Sequence, residues 1–358
     1  MRRWLAWLLG LIVLTAAVGA VVLTVPAAQD ALIRRIAFRA VQPNTHLFDD
    51  DAMRVLLCGT SAPLPHPGRA KACVAVFAGG RFWIVDTGPE SWNRLALLRV
   101  DGKRIGGVLL THFHSDHIGE LGEFNLQTWA AGRPAPLRVF GPPGVERVVA
   151  GFQEAYALDT GYRIAHHGRD FLDEGLSRMQ AVPVDAPPEK GPVTVLDEDG
   201  LRITAFAVDH RPIVPAYGYR FDYRGRSVVV SGDTTKSASL IHAAQGADVL
   251  VHEAQANHLI AIIGEAAAAA GRDRAAKIMR DIPSYHTTPV QAAEAANEAG
   301  VRFLVLYHLN PPPPNAFVAH VFVRDVARTR PDRWILGDDG TLVELPYGSE
   351  AVTTRKLD

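Results

Sequence analysis

The sequence predicts an α/β sandwich domain preceded by an N-terminal transmembrane helix. Three observations carry this. Short apolar strands meet at tight turns, at Gly79-Gly80 and at Arg224-Gly225. Helix-like stretches alternate with the strands, which places helical layers outside the sheet and argues against a doubly wound parallel fold. From residue 4 to residue 29 the chain carries no charge at all.

That charge-free run is 26 residues long and follows Arg2 and Arg3. About 20 apolar residues in a helix cross a hydrocarbon core, so residues 1–29 read as a membrane anchor. A signal peptide has a shorter apolar stretch of about 7–15 residues. Val25-Pro26-Ala27 is still a passable cleavage pattern, and cleavage there would give a secreted domain. A buried core helix fits poorly, because apolar residues occupy every face. Arg2 and Arg3 favour a cytoplasmic N-terminus, whereas Arg34, Arg35 and Arg39 weaken the asymmetry. The expectation is a domain outside the cytoplasm, held to the membrane through the N-terminal helix. Residues 30–52 read as a stalk and residues 53–358 as one domain.

Within that domain, residues 54–57 form an apolar strand that enters Gly59. Residues 73–78 and 81–85 flank the Gly79-Gly80 turn, and residues 107–110 form a strand ending at Thr111. A strand over 137–140 stops at Gly141-Pro142-Pro143-Gly144, and a helix follows to about residue 158. Strands are expected over 201–208, 218–223, 227–230 and 248–251. The stretch 254–282 is alanine-rich and therefore helical. Thr288-Pro289 opens a helix over 289–299, followed by a strand over 303–306 and a helix over 317–328. Residues 334–336 and 342–345 flank Asp338-Asp339-Gly340 as a last hairpin.

Chemistry concentrates in Thr111-His112-Phe113-His114-Ser115-Asp116-His117. Four ligand-type side chains lie within six residues, directly after an apolar strand. Residues two apart in extended backbone point the same way, so His112 and His114 can grip one ion. Asp116 and His117 fall where the chain turns into a helix, within reach of a second ion. Imidazole and carboxylate suit zinc, with manganese and iron as alternatives. A lone histidine would read as an ordinary core residue, but this cluster does not.

The HxHxDH string resembles the signature of the metallo-β-lactamase fold, and the resemblance covers about residues 53–345. It implies a four-layer αββα sandwich with two divalent metal ions at one end of the paired sheets. It also implies that residues 53–358 are a hydrolase domain. By the same resemblance His210 matches a metal histidine, Asp233 of Ser231-Gly232-Asp233-Thr234 the bridging carboxylate, and His308 the last metal histidine. Each follows an apolar strand. His112, His114, His210 and Asp233 would hold one ion; Asp116, His117, Asp233 and His308 would hold the other.

Further motifs are similar to the ribonuclease Z-like branch, which includes arylsulfatase-like and phosphodiesterase-like members. They are Gly59-Thr60-Ser61-Ala62-Pro63, Val85-Asp86-Thr87-Gly88, Tyr217-Gly218-Tyr219-Arg220, His252-Glu253-Ala254 and His286-Thr287-Thr288-Pro289. The resemblance makes Asp116 the residue that orients a metal-activated hydroxide. It makes Glu253 and His286 a proton-handling pair, with His286 protonating the leaving oxygen. Taken alone, His286 also fits a surface histidine at a helix start.

Composition narrows the substrate. The chain has 37 Lys+Arg against 38 Asp+Glu, a net charge of −1, whereas general nucleic-acid binders show a basic excess. Transfer-RNA-processing members of the branch carry a protruding basic arm. Here only ten residues separate Arg220 from Ser231, and the stretch 187–192 is too short for such an arm. Export would also separate the site from transfer RNA. The expectation is therefore a small phosphodiester or aryl sulfate ester substrate, with nucleic acid not a partner. A lactonase or β-lactam-type hydrolase is the alternative, and a ribonuclease Z-type endonuclease ranks below both. A metal-binding scaffold without turnover is set aside because the ligand set is complete. A homodimer is compatible with the sequence but unsupported by it. His166-His167 reads as a polar loop. Cys58 reads as a buried strand residue, although it could pair with Cys73 after export.

Overall fold

The computed structural model describes residues 2–187 and 191–357. It contains two compact units, Met1–Asn44 and Thr45–Asp358. In the first unit, helix α1 (Arg2–Thr24) gives way to α2 (Pro26–Ala40) at Val25, whose backbone is extended. Pro26 causes this break, since proline lacks an N–H and restricts the residue before it. Residues 3–24 have a mean hydropathy of 2.5 and are long enough to cross a bilayer.

The second unit contains two sheets. Strands β1 (Met53–Gly59), β2 (Cys73–Ala78), β3 (Arg81–Val85), β4 (Ile105–Leu109), β5 (Leu137–Gly141) and β6 (Met179–Pro183) follow one another across the first sheet. The other sheet runs in order through β7 (Val193–Glu198), β8 (Leu201–Ala207), β9 (Tyr217–Tyr223), β10 (Arg226–Val230), β11 (Val249–Gln255), β12 (Phe303–Asn310) and β13 (Trp334–Leu336). Strands β14 (Thr341–Leu345) and β15 (Thr353–Lys356) return to the first sheet beside β1.

Two-residue periodicity explains the layers. Val55 and Leu57 join Val228, Val230 and Val305 in the core between the sheets. Their neighbours Leu56 and Cys58 face outward and pack with Leu95 of α3 (Ser91–Leu97), Phe124 of α5 (Leu121–Ala130) and Val149 of α6 (Val145–His167). Val229 likewise packs outward with Leu240 of α7 (Ala238–Ala243), Ala292 of α10 (Pro289–Glu298) and Phe322 of α11 (Ala316–Phe322). Strands buried on both faces carry unbroken apolar runs, and each buried Val or Leu contributes about 1.5–3 kcal/mol. Cys58 and Cys73 form a disulfide in the outward layer of the first sheet.

Several expectations need correction. The sheets are mixed: β3–β6 and β10–β13 run parallel, so the hairpins account for only part of each sheet. Residues 334–345 do not form a hairpin, because β13 pairs with β12 in one sheet and β14 with β1 in the other. Helix α6 runs on to His167, which places His166 and His167 in its last turn rather than in a loop. The alanine-rich stretch breaks at Gly271, whose φ of 69° ends α8 (Asn257–Ala269) before α9 (Asp273–Asp281). The last helical stretch breaks at Asp325 into α11 and α12 (Val326–Thr329). Part of the stretch 187–192 lies outside the described residues.

Candidate metal centre

Strand ends from both sheets converge on one rim. Beyond β4 the chain reaches His112, and the short helix α4 (Ser115–Ile118) carries Asp116 and His117. His210 follows β8 and Asp233 follows β10. Gly232 adopts φ 62°, and a Cβ there would overlap the Tyr217 carbonyl, so only glycine allows the turn that aims Asp233. His308 lies within β12. Glu253 pairs with Tyr307 and Ala254 with Leu309, which leaves His308 as an extra residue at φ 45°. Such a bulge re-aims one side chain at the edge of a site.

The structure brings together all the residues expected there. The ligand atoms of His112, His114, His210 and Asp233 lie within 4.8 Å of one another, as do those of Asp116, His117 and His308. Asp233 links the groups. Its Oδ2 is 3.4 Å from His117 Nε2 and 3.9 Å from His210 Nε2, and its Oδ1 is 3.4 Å from His308 Nδ1. Asp116 Oδ2 is 3.2 Å from His308 Nε2.

These residues fit a divalent cation. His117 Nε2, His210 Nε2, His308 Nδ1 and Asp233 Oδ1 are buried without a hydrogen-bond partner. Such orphaned atoms cost about 1–3 kcal/mol each, and a cation would satisfy them together. Electrostatics agree. Burial opposes a proton on His117, yet Asp233, Asp86 and Asp116 outweigh it and raise the group well above its ordinary value. Burial lowers His112, His114 and His210, which favours the neutral imidazole that binds metal.

Other side chains hold these in place. Asp86 accepts hydrogen bonds from His117 Nδ1 at 2.7 Å and from Thr111 N and Oγ1 at 2.8 Å each. It does so from φ 61°, a left-handed conformation that aspartate tolerates better than most residues. His210 Nδ1 donates to the Tyr285 carbonyl at 3.0 Å. Glu253 Oε1 accepts from His286 Nδ1 at 2.9 Å and from the backbone N–H groups of Thr234 and Thr287. Burial disfavours a proton on His286, but the Glu253 charge and hydrogen bond raise it to about 9. Sequence reasoning passed over Asp86 as an individual residue. The signal available was its place directly after an apolar strand, the same position that marked the ligands.

A family model described as a beta-lactamase superfamily domain matches residues 81–309. Ribonuclease Z of Mycobacterium avium (strain 104) is 38% identical over 262 residues, which is 72% of this chain and 86% of that protein. Ribonuclease Z of Mycolicibacterium gilvum (strain PYR-GCK) is 36% identical over 304 residues, covering 83% of this chain and 97% of that protein. Among solved structures, the short form of human tRNase Z superposes with a TM-score of 0.58 at 20% identity, covering 82% of this chain and 99% of that one. The metallo-β-lactamase fold protein YhfI from Bacillus subtilis gives 0.57 at 20% identity, covering 82% and 100%. At that identity the structures speak for the fold alone.

The relatives named ribonuclease Z overturn the expectation that nucleic acid is not a partner. That expectation rested on the missing basic arm, on export and on whole-chain charge, and the charge averages over surfaces that never face the same ligand. The sulfate-ester expectation gains no support from these relatives. The fold, the family match and the identity to these relatives agree: this chain belongs to the metallo-β-lactamase-fold hydrolases, in their ribonuclease Z-like branch.

Proposed function

We propose that this hydrolase is a two-metal phosphodiesterase that cleaves RNA. The observation that carries the proposal is the His286–Glu253 pair, with His286 grouped beside Asp233 and His308. When bound, two divalent cations, zinc in this reading, supply Lewis acidity and bring the pKa of water near 7. His112, His114, His210 and Asp233 hold one; Asp116, His117, Asp233 and His308 hold the other. Asp116 accepts a hydrogen bond from the attacking water and orients it. The leaving group of an RNA phosphodiester is an alkoxide, a strong base that departs readily once protonated. Glu253 fixes the proton on His286 Nδ1 and favours the charged ring, so Nε2–H is available to that oxygen.

The test is a panel of a structured RNA with a 3′ extension, an aryl phosphodiester, an aryl sulfate and a lactone. RNA cleavage that chelator abolishes is expected. Turnover of sulfate or lactone without RNA cleavage would overturn the proposal. His286→Asn should slow RNA cleavage by about 10²–10⁴-fold at unchanged metal content.

Residues 3–24 serve as the membrane anchor in this proposal, with the domain outside the cytoplasm. The Cys58–Cys73 disulfide supports an oxidising compartment. A C-terminal alkaline phosphatase fusion tests the topology, and an inactive fusion would reverse it.

A further inference from the structure

Helices α8 and α9 form a hairpin inserted between the two members of the catalytic pair. It leaves β11 just after Glu253 and returns just before His286. Its base is held by Ile260, Met279 and Ile282, which pack with Leu64 and Tyr285. Gly264 lets the helices approach closely, since a Cβ there would sit 3.0 Å from Met279 Cβ. Beyond this base most of the hairpin is exposed. A helix the length of α8 extends about 20 Å.

Charge on this hairpin is uneven. Between residues 272 and 281 lie Arg272, Arg274, Lys277 and Arg280 against Asp273 and Asp281, and α8 adds only Glu265. Lys277 is tied to Asp281 at 2.6 Å. Among the described residues, Arg272, Arg274 and Arg280 form no ion pair, and all three are exposed. Many arginines elsewhere on this domain are matched to acids, as in Arg138–Glu198, Arg163–Asp159 and Arg202–Asp197, although among the described residues the exposed Arg147, Arg178, Arg324 and Arg333 form no ion pair either. Unmatched guanidinium groups on a hairpin rooted between Glu253 and His286 suit phosphate, which a planar fork binds in bidentate fashion.

We infer that the α8–α9 hairpin grips RNA, with Arg272, Arg274 and Arg280 binding backbone phosphates of the strand that enters the metal site. The inference rests on the RNA-cleaving reading above and names the surface that would deliver that substrate. It also offers a polynucleotide contact on a chain of net charge −1: three exposed arginines that no carboxylate neutralises.

The test compares the wild-type full chain in detergent with the triple variant Arg272→Glu/Arg274→Glu/Arg280→Glu. RNA and an aryl phosphodiester are the two substrates. The expected result is a KM for RNA raised at least tenfold, with the aryl phosphodiester kcat/KM within twofold of wild type. Three lost phosphate contacts should reduce the slope of log kcat/KM for RNA against log salt by about 2. The triple Arg→Lys variant should restore the salt dependence but only part of the RNA affinity, because the charge returns without the planar fork. An unchanged RNA KM and salt slope would overturn the inference while leaving the RNA-cleaving reading intact. A parallel loss on both substrates would also overturn it, by showing a purely structural role. Wild-type turnover of the aryl phosphodiester with no cleavage of RNA would remove the underlying reading and the inference with it. The exposed Ile262 and Ile278 raise one rival occupant, a lipid surface. Loss of preference for phosphatidylglycerol over phosphatidylcholine bilayers, with RNA KM unchanged, would assign the face to lipid instead.

Discussion

Asp86→Asn changes almost no volume yet should weaken metal binding. The carboxylate accepts three hydrogen bonds, from Thr111 N, Thr111 Oγ1 and His117 Nδ1. An asparagine can keep its oxygen toward Thr111 N, and the threonine hydroxyl can rotate to accept from the new amide. His117 has no such freedom. Its Nδ1 must then accept, which moves the ring proton to Nε2. That atom lies 3.4 Å from Asp233 Oδ2 and 3.6 Å from Asp116 Oδ2, so the proton occupies the lone pair a cation needs. Losing such an orienting partner costs about 10–100-fold in metal affinity, or about 1.4–2.7 kcal/mol. Competition against a chelator of known affinity, with metal content by mass spectrometry, measures this directly. Wild-type metal affinity in Asp86→Asn would refute the tautomer argument.

Three further outcomes are expected. Dialysis against a chelator should abolish hydrolysis and lower the urea midpoint, and zinc or manganese should restore both; full activity after metal removal would exclude the two-metal reading. Removing the disulfide as Cys58→Ala/Cys73→Ala opens a loop of sequence separation 15 and should cost about 3 kcal/mol, seen as a lower urea midpoint. Arg226→Met should destabilise by about 3 kcal/mol, since it leaves Asp248 buried with a weaker partner and frees the carbonyls of Pro346 and Ala351; a shift under about 0.5 kcal/mol would contradict this.

Much of the site was legible because its ligands follow apolar strands, and apolar strands are easy to see. His112 and His114 needed only that pattern, whereas His210 and Asp233 needed the family resemblance as well. His308 was placed after a strand ending at residue 306, whereas the strand runs on to Asn310 and bulges at the histidine. A bulge is a two-strand event, and one strand's sequence does not encode its partner's register. The misplaced last hairpin has a related cause: Asp338-Asp339-Gly340 is a good turn, but the chain uses it to pass between sheets. Strand β7 was missed because Val193–Glu198 lies at an edge and carries Asp197 and Glu198, so it lacks a clean apolar run. The charge argument failed differently. A sum over 358 residues hides a nine-residue stretch rich in arginine.

The sheet order carries one more consequence. His112, His114, Asp116 and His117 follow a strand of one sheet, while His210, Asp233 and His308 belong to strands of the other. A cation shared between them would act as a clasp across the mouth of the sandwich. Linkage makes the effect mutual: at a free metal concentration 100 times Kd, the clasp would resist opening by about 2.7 kcal/mol. A substitution deep between the sheets, at Leu109 or Val230, would then register first as metal escaping from a rim it never touches.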